Sequence, residues 1–159
     1  MLFAYEPYDR GKHYQALSQL WVKRGWLVPP ADCLPPTGFV ARDTNRDEPG
    51  AALFIYLVPD CVGWIDWGIA DPDLEQASRR YAMRVLFRLC EELAKQRRAR
   101  FLYSTSQSQA FRSMLLDCGM MVAEERTTTF CKSLAGEAQE DDMAFIRDYE
   151  QALIENAAK

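Results

Sequence analysis

A chain of 159 residues, 48% hydrophobic and 26% charged, has the composition of one globular domain with a sizeable core, which excludes wholesale disorder. A net charge of −4 excludes a general electrostatic grip on nucleic acid or anionic lipid. A local basic patch remains open, because Arg79, Arg80, Arg84, Arg88, Lys95, Arg97, Arg98 and Arg100 share one stretch.

Leu2–Tyr8 alternates and holds aromatics, so it reads as a first strand. Asp9 is a helix cap, and Leu17, Leu20 and Trp21 recur at i, i+3, i+4 in an amphipathic helix that stops near Gly25. LVPPADCLPP carries four prolines and resists regular structure. Thr37–Arg42 is a second strand, DTNRDEPG a polar turn, and Ala51–Val58 an apolar third strand. Val62–Ala70 is the fourth. A long helix over Glu75–Arg97 gathers Ala82, Val85, Leu86, Leu89, Cys90 and Leu93 on one face. Arg100–Thr105 is a fifth strand. SQSQAFRSMLLDCG is a short helix with a serine cap and Gly119 at its end. Val122–Ser133 is a sixth strand, and an acidic linker leads to a final helix whose stripe is Met143, Phe145, Ile146, Tyr149, Leu153 and Ile154. The organisation expected is one domain over 1–134, with 135–159 as a linker and appended helix.

The cysteines, Cys33, Cys61, Cys90, Cys118 and Cys131, are odd in number and none form C-x-x-C, which points to reduced core thiols rather than disulfides or zinc. His13 is the one histidine, so a Ser-His-Asp triad or multi-histidine metal site has little to work with; no metal is expected. The opening MLFAYEPYDRGKHY has no apolar core of a signal peptide, and no run is long enough to span a bilayer. A soluble, cytoplasmic protein without a membrane partner is expected.

The order β-α-β-β-β-α-β-α-β resembles the GCN5-related N-acetyltransferase (GNAT) superfamily over residues 2–134. Ile69-Ala70-Asp71-Pro72-Asp73-Leu74 matches the end of that family's fourth strand, and Ser108–Met120, with Gly119, matches its later motif. The resemblance implies an α/β (α+β) fold: a mixed, mostly antiparallel sheet, helices on both faces, and strands four and five splayed apart around the pantetheine arm of acetyl-CoA. It implies that backbone at Ile69 and Ala70 meets the thioester, that Asp66 is the candidate general base, and that Gln76, Ala77, Ser78, Arg79, Arg80 and Tyr81 hold phosphate. The stretch Glu75–Ala82 departs from the family: it has no glycine, Gln76 stands for the first motif residue, and Arg79 and Tyr81 replace the two small ones. The family's tyrosine acid aligns with Leu115 or Met114, neither of which donates a proton. Weakened or lost acetyl transfer is therefore expected, with a small-molecule or protein amine as the acceptor.

The chain is also similar to GNAT-like proteins of short-tailed bacteriophages, among them a small internal virion protein. The similarity lies in the glycine-poor, basic opening of the long helix and in Gly119 followed by Glu124-Glu125-Arg126-Thr127. It implies a non-catalytic scaffold, virion-associated, that meets a phage or host protein; nucleic acid is not the expected partner. Two readings stand for Asp66, a base or amine anchor and a solvated carboxylate. Two also stand for Phe54, Tyr56, Trp64 and Trp67: the lining of an acceptor cleft, or core.

Overall fold

A computed structural model describes residues 3–58, 60–106 and 108–123. The expected sixth strand beyond Ala123, the acidic linker, the final helix and Glu124-Glu125-Arg126-Thr127 lie outside the described residues. The described chain up to Val122 is one compact unit. It runs β1 (Phe3–Pro7), α1 (Arg10–Lys23), β2 (Gly38–Asp43), β3 (Glu48–Val58), β4 (Val62–Ala70), α2 (Gln76–Gln96), β5 (Phe101–Ser104) and α3 (Gln109–Asp117).

The five strands form one sheet in sequence order, antiparallel from β1 to β4. β4 and β5 are parallel, because α2 carries the chain back across the sheet between them. Strand alternation sorts the core into two layers. Val40, Ala52, Phe54 and Ile69 point to one face and bury Leu17, Leu20 and Trp21 of α1. Ala41, Ala51, Leu53, Ile55 and Ile65 point to the other, under Leu86, Phe87 and Cys90 of α2 and Met114 and Leu115 of α3. The mixed, mostly antiparallel sheet with helices on both faces is thus as expected. Each fully buried Leu or Phe of these layers stabilises the fold by about 1.5–3 kcal/mol.

Helix ends follow the sequence signals. Asp9 accepts a hydrogen bond from Lys12 N–H, and Ser108 accepts one from Phe111 N–H. Gly25 (φ 66°) and Gly119 (φ 92°) adopt the left-handed conformation beyond α1 and α3. There Trp26 N–H donates to Trp21 O and Met120 N–H to Leu115 O, closing each last turn.

Two expectations shift. The buried stripe of α2 is Ala82, Met83, Leu86, Phe87, Cys90 and Ala94, while Val85, Leu89 and Leu93 are half-buried. The helix packs chiefly on β3, which sets Met83 and Phe87 against the sheet, while Asp117 of α3 joins the exposed Arg80 (2.5 Å) and Arg84 (2.7 Å). Cys33 and Cys61 are exposed rather than core, since one lies in the proline-rich segment and the other begins the β3–β4 return; Cys90 is buried.

Candidate functional site

β5 accompanies β4 for four residues, Val62–Ile65 against Phe101–Ser104. Beyond that pairing, β4 continues through Asp66–Ala70 along an edge that β5 no longer covers. The expected parting of the two strands falls here. Ser104, the last residue of β5, has a buried hydroxyl with no hydrogen-bond partner among the described residues. A buried unpartnered hydroxyl costs stability, and Tyr5 Oη and Tyr8 Oη share that state among the described residues.

At the same level β4 bulges. The register against β3 slips between Phe54↔Asp66 and Ala52↔Ile69. Trp67 takes the left-handed conformation (φ 53°), and its N–H donates to the Asp66 carboxylate at 2.7 Å. The extra residue turns both Asp66 and Trp67 to the α1 face. Gly68 then faces α2, where an added Cβ would meet Leu53 Cδ1 at 3.0 Å and Met83 Cε at 3.2 Å.

The β4–α2 loop is fastened by cations from elsewhere in the chain. Arg24, just past α1, donates to Ala70 O through Nε (3.1 Å) and Nη2 (2.9 Å). Arg79 donates from one guanidinium nitrogen to Pro72 O (2.6 Å) and to Leu74 O. Asp71 is buried and joins Lys23 Nζ (3.3 Å) to Arg46 Nη2 (2.8 Å), while its own N–H donates to Gly50 O at 2.8 Å. Burial pushes the Asp71 carboxyl up, but the Asp73 amide and the Arg46 and Lys23 cations outweigh it and hold it below its ordinary value. Burial, then the charge of Arg79, lowers the pKa of Arg24. The two guanidiniums therefore sense each other, and among the described residues neither has a carboxylate within ion-pair distance.

Ile69 is buried and Ala70 half-buried beside the open edge of β4. Gln76, Ala77, Arg80 and Tyr81 are exposed on the first turns of α2, and Ser78 and Arg79 are half-buried. Arg80 is engaged with Asp117, and Arg79 with the loop carbonyls. Phe54 is core, Trp67 is half-buried, and Tyr56 and Trp64 are exposed. Met114 and Leu115 are buried in the α2 layer. Sequence reasoning missed Arg24, Lys23 and Arg46, whose separation from the loop along the chain hides them, and it missed Ser104. For acetyl-CoA the residues offer, along Asp66–Ala70, a strand edge that no described strand covers; the Ser104 hydroxyl, in register with Ile65, lies on the α2 face of that edge and the Asp66 carboxylate on the α1 face. After β4, cations rather than glycines fasten the backbone of the loop.

A five-stranded sheet whose parallel pair parts beside a bulge, with the long helix following it, is the GNAT acetyltransferase fold. An acetyltransferase of Trypanosoma brucei superposes with a TM-score of 0.64 at 12% identity, over 82% of this chain and 100% of that one. A ribosomal-protein-alanine N-acetyltransferase of Brucella melitensis gives 0.61 at 12%, over 84% and 100%. A predicted acetyltransferase of Clostridium acetobutylicum, solved with acetyl-CoA, gives 0.57 at 16%, over 81% and 96%. No family model matches the sequence, and no curated protein matches it. No described helix is long and apolar enough to cross a membrane.

Proposed function

We propose that this chain is an acyl-CoA-dependent N-acyltransferase of the GNAT type with a weakened donor site. The observation that carries the reading is the edge of β4 from Asp66 to Ala70, which no described strand covers, with the Ser104 hydroxyl, unpartnered among the described residues, at its start. Acetyl-CoA would supply an acyl group as a thioester. The backbone of Ile69 and Ala70 and the Ser104 hydroxyl would offer hydrogen bonds along that edge. Arg24 and Arg79 would attract phosphate by charge, with Gln76, Ala77, Ser78, Arg80 and Tyr81 around the first turns of α2. The Asp66 carboxylate would accept the proton that the amine loses as its nitrogen bonds to the acyl carbon and the carbon–sulfur bond breaks.

Weakening follows from two features. Phosphate must compete with Pro72 and Leu74 for Arg79, and Tyr81 adds bulk near the same turn. Met114 and Leu115 offer no acid, so the sulfur leaves as a thiolate; with a thiol pKa of about 8.5 this slows turnover without forbidding it. General acid help is typically worth about 10²- to 10⁴-fold. Calorimetric titration with acetyl-CoA tests the donor site. Weak binding that Arg24→Glu or Arg79→Glu abolishes supports the proposal, and no heat at any concentration refutes it.

The engagement of Arg79 with loop carbonyls favours a second reading, a GNAT scaffold without catalysis that meets a phage or host protein. A wild-type chain that binds no acetyl-CoA yet retains its fold would be the expected result on that reading.

A further inference from the structure

The face of the sheet that carries α1 is only half covered by it. Phe54 belongs to the α1 layer, so Tyr56 and Val58, two and four residues further along β3, point the same way. Leu102 packs against Gly63 on the α2 side, which turns Phe101 and Tyr103 to the α1 side. Register then aligns the side chains in rows across three strands. One row is Val58↔Val62↔Phe101 and the next is Tyr56↔Trp64↔Tyr103. The third is Phe54↔Asp66, at the level where β5 has ended.

The third row lies under α1. The first two do not: Tyr56 is 41% exposed, Trp64 41%, Tyr103 43%, Val58 54% and Phe101 64%. Trp64 and Tyr103 stack with centroids 6.2 Å apart, and Tyr103 lies 6.3 Å from Phe101. Trp67 Nε1 donates to Tyr56 Oη at 2.9 Å, and Tyr56 in turn donates to Cys33 O, which fixes the ring at the edge of the row. A contiguous aromatic floor of this kind on a soluble domain marks a binding surface. It ends at a single carboxylate whose one hydrogen bond among the described residues comes from Trp67 N–H. Aromatic faces and a carboxylate both favour a cation, and the exposed rings favour a flat apolar body.

We propose that this face is the acceptor site and that it takes a primary amine carried on an aromatic ring by a short linker. The ring lies on Trp64 and Tyr103, and the ammonium reaches Asp66, one row away and thus roughly 6–7 Å along the strand. The assignment rests on the acyltransfer reading for its purpose, but not for its test, which needs no acyl donor.

The probe is 2-phenylethylamine, with 2-phenylethanol as its uncharged counterpart, titrated into the full chain by tryptophan fluorescence and by calorimetry. The amine is expected to bind roughly fivefold tighter than the alcohol. Asp66→Asn should erase that preference while leaving alcohol binding unchanged. Trp64→Ala should weaken both ligands roughly tenfold, and Trp64→Phe, which keeps a ring, should restore most of the loss. Equal affinity for amine and alcohol, or indifference to Trp64→Ala in a chain that still melts cooperatively, overturns the proposal. So does a concentration-dependent dimer that Trp64→Ala dissociates, because the face then belongs to a second copy of the chain. Acetyl-CoA binding without amine binding defeats this inference alone, and amine binding without acetyl-CoA binding defeats the acyltransfer reading alone.

Discussion

Cys90 and Cys33 carry the same thiol in opposite surroundings. Burial under β3 pushes the Cys90 pKa up to about 12, whereas Cys33 and Cys61 are exposed. Thiolate is the reactive form, so at mildly alkaline pH a thiol reagent should label Cys33 and Cys61 in the native protein and leave Cys90 unmodified until denaturant is added. Peptide mass mapping reads this directly, and native labelling of Cys90 would contradict the packing described for α2. At this scale the sequence was partly legible. The caps Asp9 and Ser108 and the glycines Gly25 and Gly119 declare themselves, because each solves a local backbone problem with its own side chain or lack of one. Tyr56 and Trp64 do not. Aromatics on a central strand look like core, and their exposure depends on how far α1 reaches over the sheet, which no local pattern encodes.

Among the elements, β2 and the β4–α2 loop are the sensitive ones. A Cβ at Gly38 would stand 2.8 Å from Leu53 O, a backbone atom that cannot step aside. Gly38→Ala should therefore cost about 1–3 kcal/mol in a chemical unfolding experiment. Gly63→Ala, whose Cβ meets only the tips of Leu102 and Ile55 at 2.9 and 3.0 Å, should cost less. In the loop, Asp71→Ala removes the carboxylate that pairs Lys23 with Arg46, and a loss of about 2–3 kcal/mol is expected, kept moderate because both cations reach solvent. A negligible change would mean that the Gly50 carbonyl and the arginines hold the loop without it. The elements themselves were readable from periodicity, since β4 matches its expected bounds and α2 differs by one residue at each end. The rotation of α2 was not, because the sheet beneath it, rather than the helix's own pattern, selects the buried face.

For the whole molecule, the titrating groups set the pH range of stability. Burial raises the Asp43 and Asp71 carboxyls, but the amides and cations around them prevail and hold both below the ordinary 3.8. A carboxylate with a depressed folded pKa contributes stability that is present above its unfolded pKa and lost as pH falls through the folded one. The melting temperature should stay level from neutral pH to about pH 5 and then decline below about pH 4. Asp71→Asn should begin lower and decline less, as melts followed by circular dichroism would report. On the alkaline side, burial raises Tyr5 and Cys90 to about 12 each from 10.0 and 9.0. Their contribution is complete below the unfolded values and is lost as pH climbs towards 12. Loss of stability should thus be gradual above about pH 9.

The fastening of the β4–α2 loop frees its own sequence to vary. A loop shaped by glycine must keep its glycine, since few other residues accept the same backbone angles. Here Lys23, Arg24 and Arg46 hold residues 70–74 from α1 and from the hairpin, so the loop's own letters are released from that obligation. The letters of such a segment can vary while its shape endures, because the shape is held by anchors tens of positions away. Glycines introduced after Asp71 would therefore loosen the loop little, because Arg24 would still hold the Ala70 carbonyl and Lys23 and Arg46 the Asp71 carboxylate.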